Sequence, residues 1–281
     1  MTSQIKTILL LGLLTGLILF LGGAMGGRTG LIIALILAFA MNFFSYWYSD
    51  KVVLSMYRAQ ELHPTDAPAI HRMVEELAHN AGVPKPKIFL IPQDAPNAFA
   101  TGRDPAHGVV AVTQGIVNAL SPDELRGVLA HEIGHIANRD ILIQSVAAVL
   151  GGAIMFIANM LQWGAIFGMG GGDDEEGSNP LAALALAIIA PLAATLIQMA
   201  ISRSREYLAD ASAARYAGSP HGLASALQKL DAYSRQVPMQ ANPATENMFI
   251  VSPLTGKRSL ANLFSTHPPI AERVERLHRI R

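Results

Sequence analysis

Hydrophobic and polar positions are laid out unevenly along the 281 residues. Residues 7–27, 29–49, 141–172 and 177–202 contain no Asp, Glu, Lys or Arg. A helix needs about 20 apolar residues to cross a hydrocarbon layer of about 30 Å, and each stretch reaches that length. Buried core helices are the competing explanation, but a soluble domain of this size rarely needs four charge-free helices. The pattern therefore predicts four spans in two hairpins. Gly151, Gly152, Pro191 and a Gly-rich run over 168–172 interrupt the second hairpin, which leaves partial insertion open. A signal peptide would also account for Lys6 followed by an apolar run, but a second apolar run returns at once and disfavours it.

The intervening sequence has the patterning of a soluble domain. Pro68 opens a helix after Thr65-Asp66-Ala67, and Gly82 stops it. Residues 87–91 and 109–113 are short, apolar and β-branched, which predicts strands, with 97–102 between them as an edge strand or loop. Ser121-Pro122-Asp123-Glu124 is a capping box that starts a helix running toward Asn138. Further helices are expected from Ser219-Pro220 and from Pro269, the last with an apolar stripe of Ile270, Val274 and Leu277. Residues 237–265 read as an irregular loop, with 248–251 as a possible short strand.

Charge adds an orientation. Lys6, Lys51, Arg58, Arg126, Arg139, Arg203 and Arg205 fall on one side of the predicted spans and Arg28 alone on the other, which puts the soluble part in the cytoplasm. The net charge of zero argues against a nucleic-acid partner, and with no cysteine there is no disulfide framework.

The candidate chemistry lies in His131-Glu132-Ile133-Gly134-His135, inside the capped helix. Residues four apart are separated by about 40° around a helix and roughly 6 Å along it, so both imidazoles can reach one ion. Zinc accepts imidazole and carboxylate, and a catalytic zinc keeps three protein ligands and one open position. Glu132 then sits beside that position as general base. Downstream, Glu206 and Asp210 share one helical face in Ser202-Arg203-Ser204-Arg205-Glu206-Tyr207-Leu208-Ala209-Asp210. Glu206 can be the third ligand, while Asp210 fixes a ligand histidine through its outer nitrogen. Taken alone, the same segment would read as a solvated Arg/Glu helix end.

The His-Glu-x-x-His motif, the two apolar hairpins and the Ser-Arg-x-x-Glu-Tyr-x-Ala-Asp segment together resemble the HtpX membrane peptidases, with the CAAX prenyl endopeptidases as more distant relatives. The resemblance covers essentially the whole chain. It implies a mainly α membrane protein carrying an α+β metallopeptidase domain of gluzincin type, a small β-sheet beside the active-site helices. It implies one Zn2+ per chain at His131, His135 and Glu206, with Glu132 as catalytic base. It further implies ATP-independent cleavage of membrane or unfolded polypeptides in quality control at the inner membrane. An Asn97-Ala98-Phe99 edge strand would align the substrate backbone, and His267 and Arg273 would lie near the scissile carbonyl. His267 could equally end the loop before the Pro269 helix, and Arg273 could be a surface charge. The remaining histidines, His63, His107, His221 and His278, read as surface residues.

The expected organisation is an N-terminal transmembrane hairpin (1–50), a first catalytic half with the histidine helix (51–140), a second membrane hairpin (141–202) and a second catalytic half with the third ligand (203–281). A prenyl-protein endopeptidase and a catalytically silent membrane scaffold or chaperone are the alternative functions.

Overall fold

The structure is a computed structural model that describes residues 3–152, 203–239, 241–253 and 267–280. Most of the expected second hairpin therefore lies outside the described residues.

Helix α1 (Ser3–Met56) bends at Gly27, where φ is 54°, a conformation glycine adopts without a Cβ penalty. The two arms meet: Asn42 Nδ2 donates to Thr15 Oγ1 at 2.8 Å. The outward face leaves large apolar side chains in the open, with Phe20 71 % and Phe39 74 % exposed. The arm from Gly26 to Met56 is long and apolar enough to cross a membrane; among the described residues it is the only such helix. On the first arm, Leu10 and Leu14 pack with Ile143, Val146, Ala147 and Leu150 of α5 (Ile141–Gly152), which starts the third apolar stretch.

A four-stranded mixed sheet follows. Its strands are β1 (Gln60–Glu61), β2 (Lys87–Ile91), β3 (Ala98–Thr101) and β4 (Val109–Thr113), in the order β1-β2-β4-β3. Strands β2 and β4 run parallel, with Lys87 opposite Val109, while β3 lies antiparallel to β4, with Phe99 opposite Ala111. Residues 97–102 thus contain an edge strand. Two elements escaped the pattern: the two-residue β1 and the short helix α3 (Gln114–Ala119).

Helix α2 (Pro68–Ala81) ends at a left-handed Gly82, as expected. Helix α4 (Pro122–Ala137) carries the capping box: Ser121 Oγ accepts from the Glu124 backbone N–H, and the Glu124 carboxylate accepts from the Ser121 N–H at 2.8 Å. This helix is the hub. It packs against α2, β3, α6 (Arg203–Ala217) and α7 (His221–Ser234), and α7 in turn packs on α8 (Ile270–His278). Val128, Leu129, Ile133 and Ile136 of α4 are fully buried in the main core.

Two expectations need correction. Residues 248–251 form no strand: Pro243–Met248 is a 3-10 helix, and one bridge joins Phe249 to Phe99. The segment is short and must turn at once, so pairing cannot propagate. Ser219 is not the cap of α7, which starts at His221 behind Pro220 without a side-chain cap. Its hydroxyl nevertheless accepts from the His221 N–H.

Candidate metal centre

Because α4 is buried along nearly its whole length, His131, Glu132 and His135 lie in the interior, 1 %, 1 % and 4 % exposed. Helix α6 crosses α4 beside Gly134, where a Cβ would stand 3.2 Å from the Ala209 carbonyl oxygen. The missing side chain lets Glu206 and Asp210, one helical turn apart and both buried, reach the two histidines.

Donor atoms of His131, His135 and Glu206 all lie within 4.8 Å of one another. The two Nε2 atoms are 3.2 Å apart, and the Glu206 oxygens stand 3.6 Å from His131 Nε2 and 3.5 Å from His135 Nε2. Ligand atoms about 2.0–2.1 Å from a tetrahedral zinc are themselves about 3.3 Å apart, so the donors have the spacing such an ion requires. The outer nitrogens turn away to carboxylates. His131 Nδ1 lies 2.9 Å from Asp210 Oδ1, and His135 Nδ1 lies 3.5 Å from Asp140 Oδ2. A proton on each Nδ1 leaves each Nε2 lone pair for a metal. One Glu206 oxygen, Oε2, has no hydrogen-bond partner among the described residues, as fits a carboxylate kept for an ion.

Electrostatics concentrate here. Burial pushes the Glu132 carboxyl up to about 8, only partly opposed by His135. Neither of its oxygens has a well-formed hydrogen bond among the described residues. Burial pulls His135 down, but the carboxylates of Glu206, Asp140 and Glu132 outweigh it and raise the imidazole to about 9. For His131 burial wins and the pKa falls. Burial acts against the charge of Asp210 but is overcome by Arg273 and His131, which hold its carboxyl well below the usual range.

Arg273 is fully buried, so the surface-charge reading is corrected. Its Nε and one terminal nitrogen donate to Asp210 at 2.9 and 2.7 Å, the other donates to the Ile250 carbonyl at 3.0 Å, and Glu206 is 3.7 Å away. Its guanidinium is thus committed to protein partners. His267 is also nearly buried, at 9 % exposed; burial lowers its pKa, against the pull of Glu206.

Asn97 and Ala98, expected to align a substrate, make contacts within the chain itself. Ile250 N–H donates to the Ala98 carbonyl at 3.0 Å, and Asn97 Nδ2 donates to the Val251 carbonyl at 2.8 Å. The chain's own 249–251 segment occupies that half of the edge, and Asn97 holds it there. His63, His107, His221 and His278 are exposed, as expected.

The profile of peptidase family M48 matches residues 64–281. The chain belongs to peptidase family M48. It is a metallopeptidase, and several curated relatives share its whole length. Proteins named "Protease HtpX homolog" are 58 % identical over 99 % of this chain and 89 % of the relative in Desulfatibacillum aliphaticivorans. In Pyrococcus furiosus the corresponding protein is 53 % identical over 98 % of this chain and 95 % of the relative. Among solved structures, that of S. mikatae Ste24p superposes with a TM-score of 0.54 at 21 % identity, covering 98 % of this chain. This M48 chain spans 65 % of the length of Ste24p, and the likeness speaks to fold alone.

Proposed function

We propose that the chain is a zinc-dependent endopeptidase of the inner membrane that cleaves misfolded or damaged membrane proteins on the cytoplasmic side. One observation carries the reading: three buried donors converge with the spacing of a metal shell, and Glu132, with no well-formed hydrogen bond of its own, stands next to His131 in the same helix.

His131, His135 and Glu206 would hold a zinc ion, which when bound would supply Lewis acidity and a more acidic water. Glu132 takes the proton from the attacking water and passes it to the leaving amine. Burial raises its carboxyl above the usual carboxylate range, which makes it a stronger proton acceptor than a solvated glutamate. His267 is assigned to stabilise the negative charge that develops on the scissile carbonyl oxygen. Arg273 acts indirectly, by holding Asp210 against His131. The substrate backbone is assigned to β3 beyond Phe99, past the bridge that Phe99 makes to Phe249.

The exposed apolar face of α1 supports a bilayer as surroundings, and the basic flanks of the charge-free stretches support a cytoplasmic catalytic part. Four spans and the division at residues 50, 140 and 202 belong to the same proposal. Helix α4 ends shortly before residue 141 and α6 is described from Arg203, which supports a metal just above the membrane face.

Purified protein incubated with casein should yield fragments, lose that activity in a strong chelator and regain it with zinc. The Glu132→Gln form should bind zinc and leave casein intact; turnover by this variant would defeat the mechanism. A prenylated peptide assayed alongside separates the prenyl-protein endopeptidase reading, and absence of any fragment from the parent would favour a scaffold.

A further inference from the structure

Helix α4 does not simply run out after His135. Arg139 takes a left-handed conformation with φ of 59°, at a cost of about 1–2 kcal/mol for a residue with a Cβ. Arg139 N–H donates to the Ile136 carbonyl and Asp140 N–H to the His135 carbonyl, the paired bonds of a Schellman turn. The turn folds Asp140 back over the last histidine. Its side chain, 3 % exposed, puts Oδ2 3.5 Å from His135 Nδ1, a buried nitrogen that makes no well-formed hydrogen bond among the described residues. The other oxygen, Oδ1, lies 3.4 Å from Nε of Arg205, whose side chain is 11 % exposed.

The arrangement follows the one at the other histidine in outline, with longer contacts of 3.5 and 3.4 Å in place of 2.9 and 2.7 Å. His131 meets Asp210, which is held by Arg273; His135 meets Asp140, which is held by Arg205. In both, an imidazole Nδ1 faces a buried carboxylate whose second contact is an arginine. Asp140 directly precedes α5 and Arg205 follows residue 202, so this pair brackets the whole 141–202 segment in sequence.

We infer that Asp140, anchored by Arg205, is a positioning residue that fixes the ring of His135 for the metal and ties both ends of the 141–202 segment to the centre. This rests on the zinc reading of the site. The carboxylate holds the Nδ1 proton and aims Nε2 inward; Arg205 keeps the carboxylate from swinging away. Loss of such outer partners weakens metal affinity by about 10–100-fold.

The test is zinc affinity of the full-length protein in detergent, read by competition with a chromophoric chelator. Asp140→Ala should weaken binding by about 10–100-fold. Asp140→Asn keeps an acceptor but not the charge and should fall between that variant and the parent, serving also if the alanine form does not fold. Arg205→Ala should weaken binding less than Asp140→Ala, and the double variant should match Asp140→Ala alone, because the arginine works through the carboxylate. In the cobalt(II)-loaded protein, Asp140→Ala should alter the visible absorption bands of the ion. Zinc affinity of Asp140→Ala within twofold of the parent, or additive losses in the double variant, would overturn the inference. A parent that binds no zinc would instead defeat the metal centre itself, so the two failures are distinct.

Discussion

Asp210 Oδ1 stands 2.9 Å from Nδ1 of His131 and 2.7 Å from the guanidinium of Arg273, so one buried carboxylate serves an imidazole and a cation together. Helices α6 and α8 are thereby locked onto α4 through charge as well as through packing.

Removing one member should expose the cost of an unmatched interior charge. Arg273→Ala leaves Asp210 buried without its cation and should destabilise the fold by about 3–5 kcal/mol. Replacing both residues by apolar side chains of similar volume, Arg273→Met with Asp210→Leu, should cost less than the sum of the single changes. Urea unfolding of the three variants in detergent measures the difference, and equal, additive losses would argue against a coupled pair.

Metal uptake should release protons. In the metal-free protein His135 is raised to about 9 and is protonated at pH 7, and zinc requires the neutral ring. Affinity should therefore rise by about tenfold per pH unit up to about pH 9. The stabilisation that a charged His135 gives the metal-free fold has the opposite sense: it is fully present below about pH 6.5 and lost as pH rises through about 9. Calorimetric titration with zinc in buffers of different ionisation enthalpy should report at least one proton released per ion at pH 7.

Gly134→Ala sets two effects against each other. Alanine gains up to about 1 kcal/mol of helix propensity, while its Cβ, 3.2 Å from the Ala209 carbonyl, forces α6 outward at about 1–3 kcal/mol. Overall stability should change by less than about 2 kcal/mol. Proteolysis should suffer more, falling by about tenfold or more, because Glu206 and Asp210 ride on α6. Full activity in this variant would mean that the helix crossing is not what sets the ligand spacing.

Acid sensitivity should trace in part to Glu124. Burial pushes its carboxyl up, but hydrogen bonds from Lys229, the Ser121 N–H and the Ser225 hydroxyl prevail and bring it down to about 2. A depressed folded pKa contributes stability above the unfolded value of about 4.3, lost as pH falls from there toward about 2. Glu124→Gln should cost about 1–3 kcal/mol at pH 7. Thermal unfolding at a series of pH values should find the gap to the parent closing across that acidic window.

What could be read from the chain was what short spacings determine. The capping box, the i and i+4 histidines and the Glu206/Asp210 face are relations within a single helix, and the structure reproduces each geometry. Contacts between distant segments were out of reach. Arg205 looked like one of the basic residues flanking the predicted spans, and nothing local says that it meets Asp140. Arg273 was legible in principle: three residues after Ile270 and four before Leu277, it falls on the apolar stripe of its own helix, where a surface charge has no place. The pairing of Ile250 with Ala98 had no local signal beyond a few β-formers in 248–251.

The chain order of these residues also governs timing. His131 and Glu132 are synthesised well before Glu206, and Arg273, the cation that neutralises Asp210, comes later still. The buried cluster around Asp210 therefore closes only after α8 has been made, well after the helix that carries the histidines.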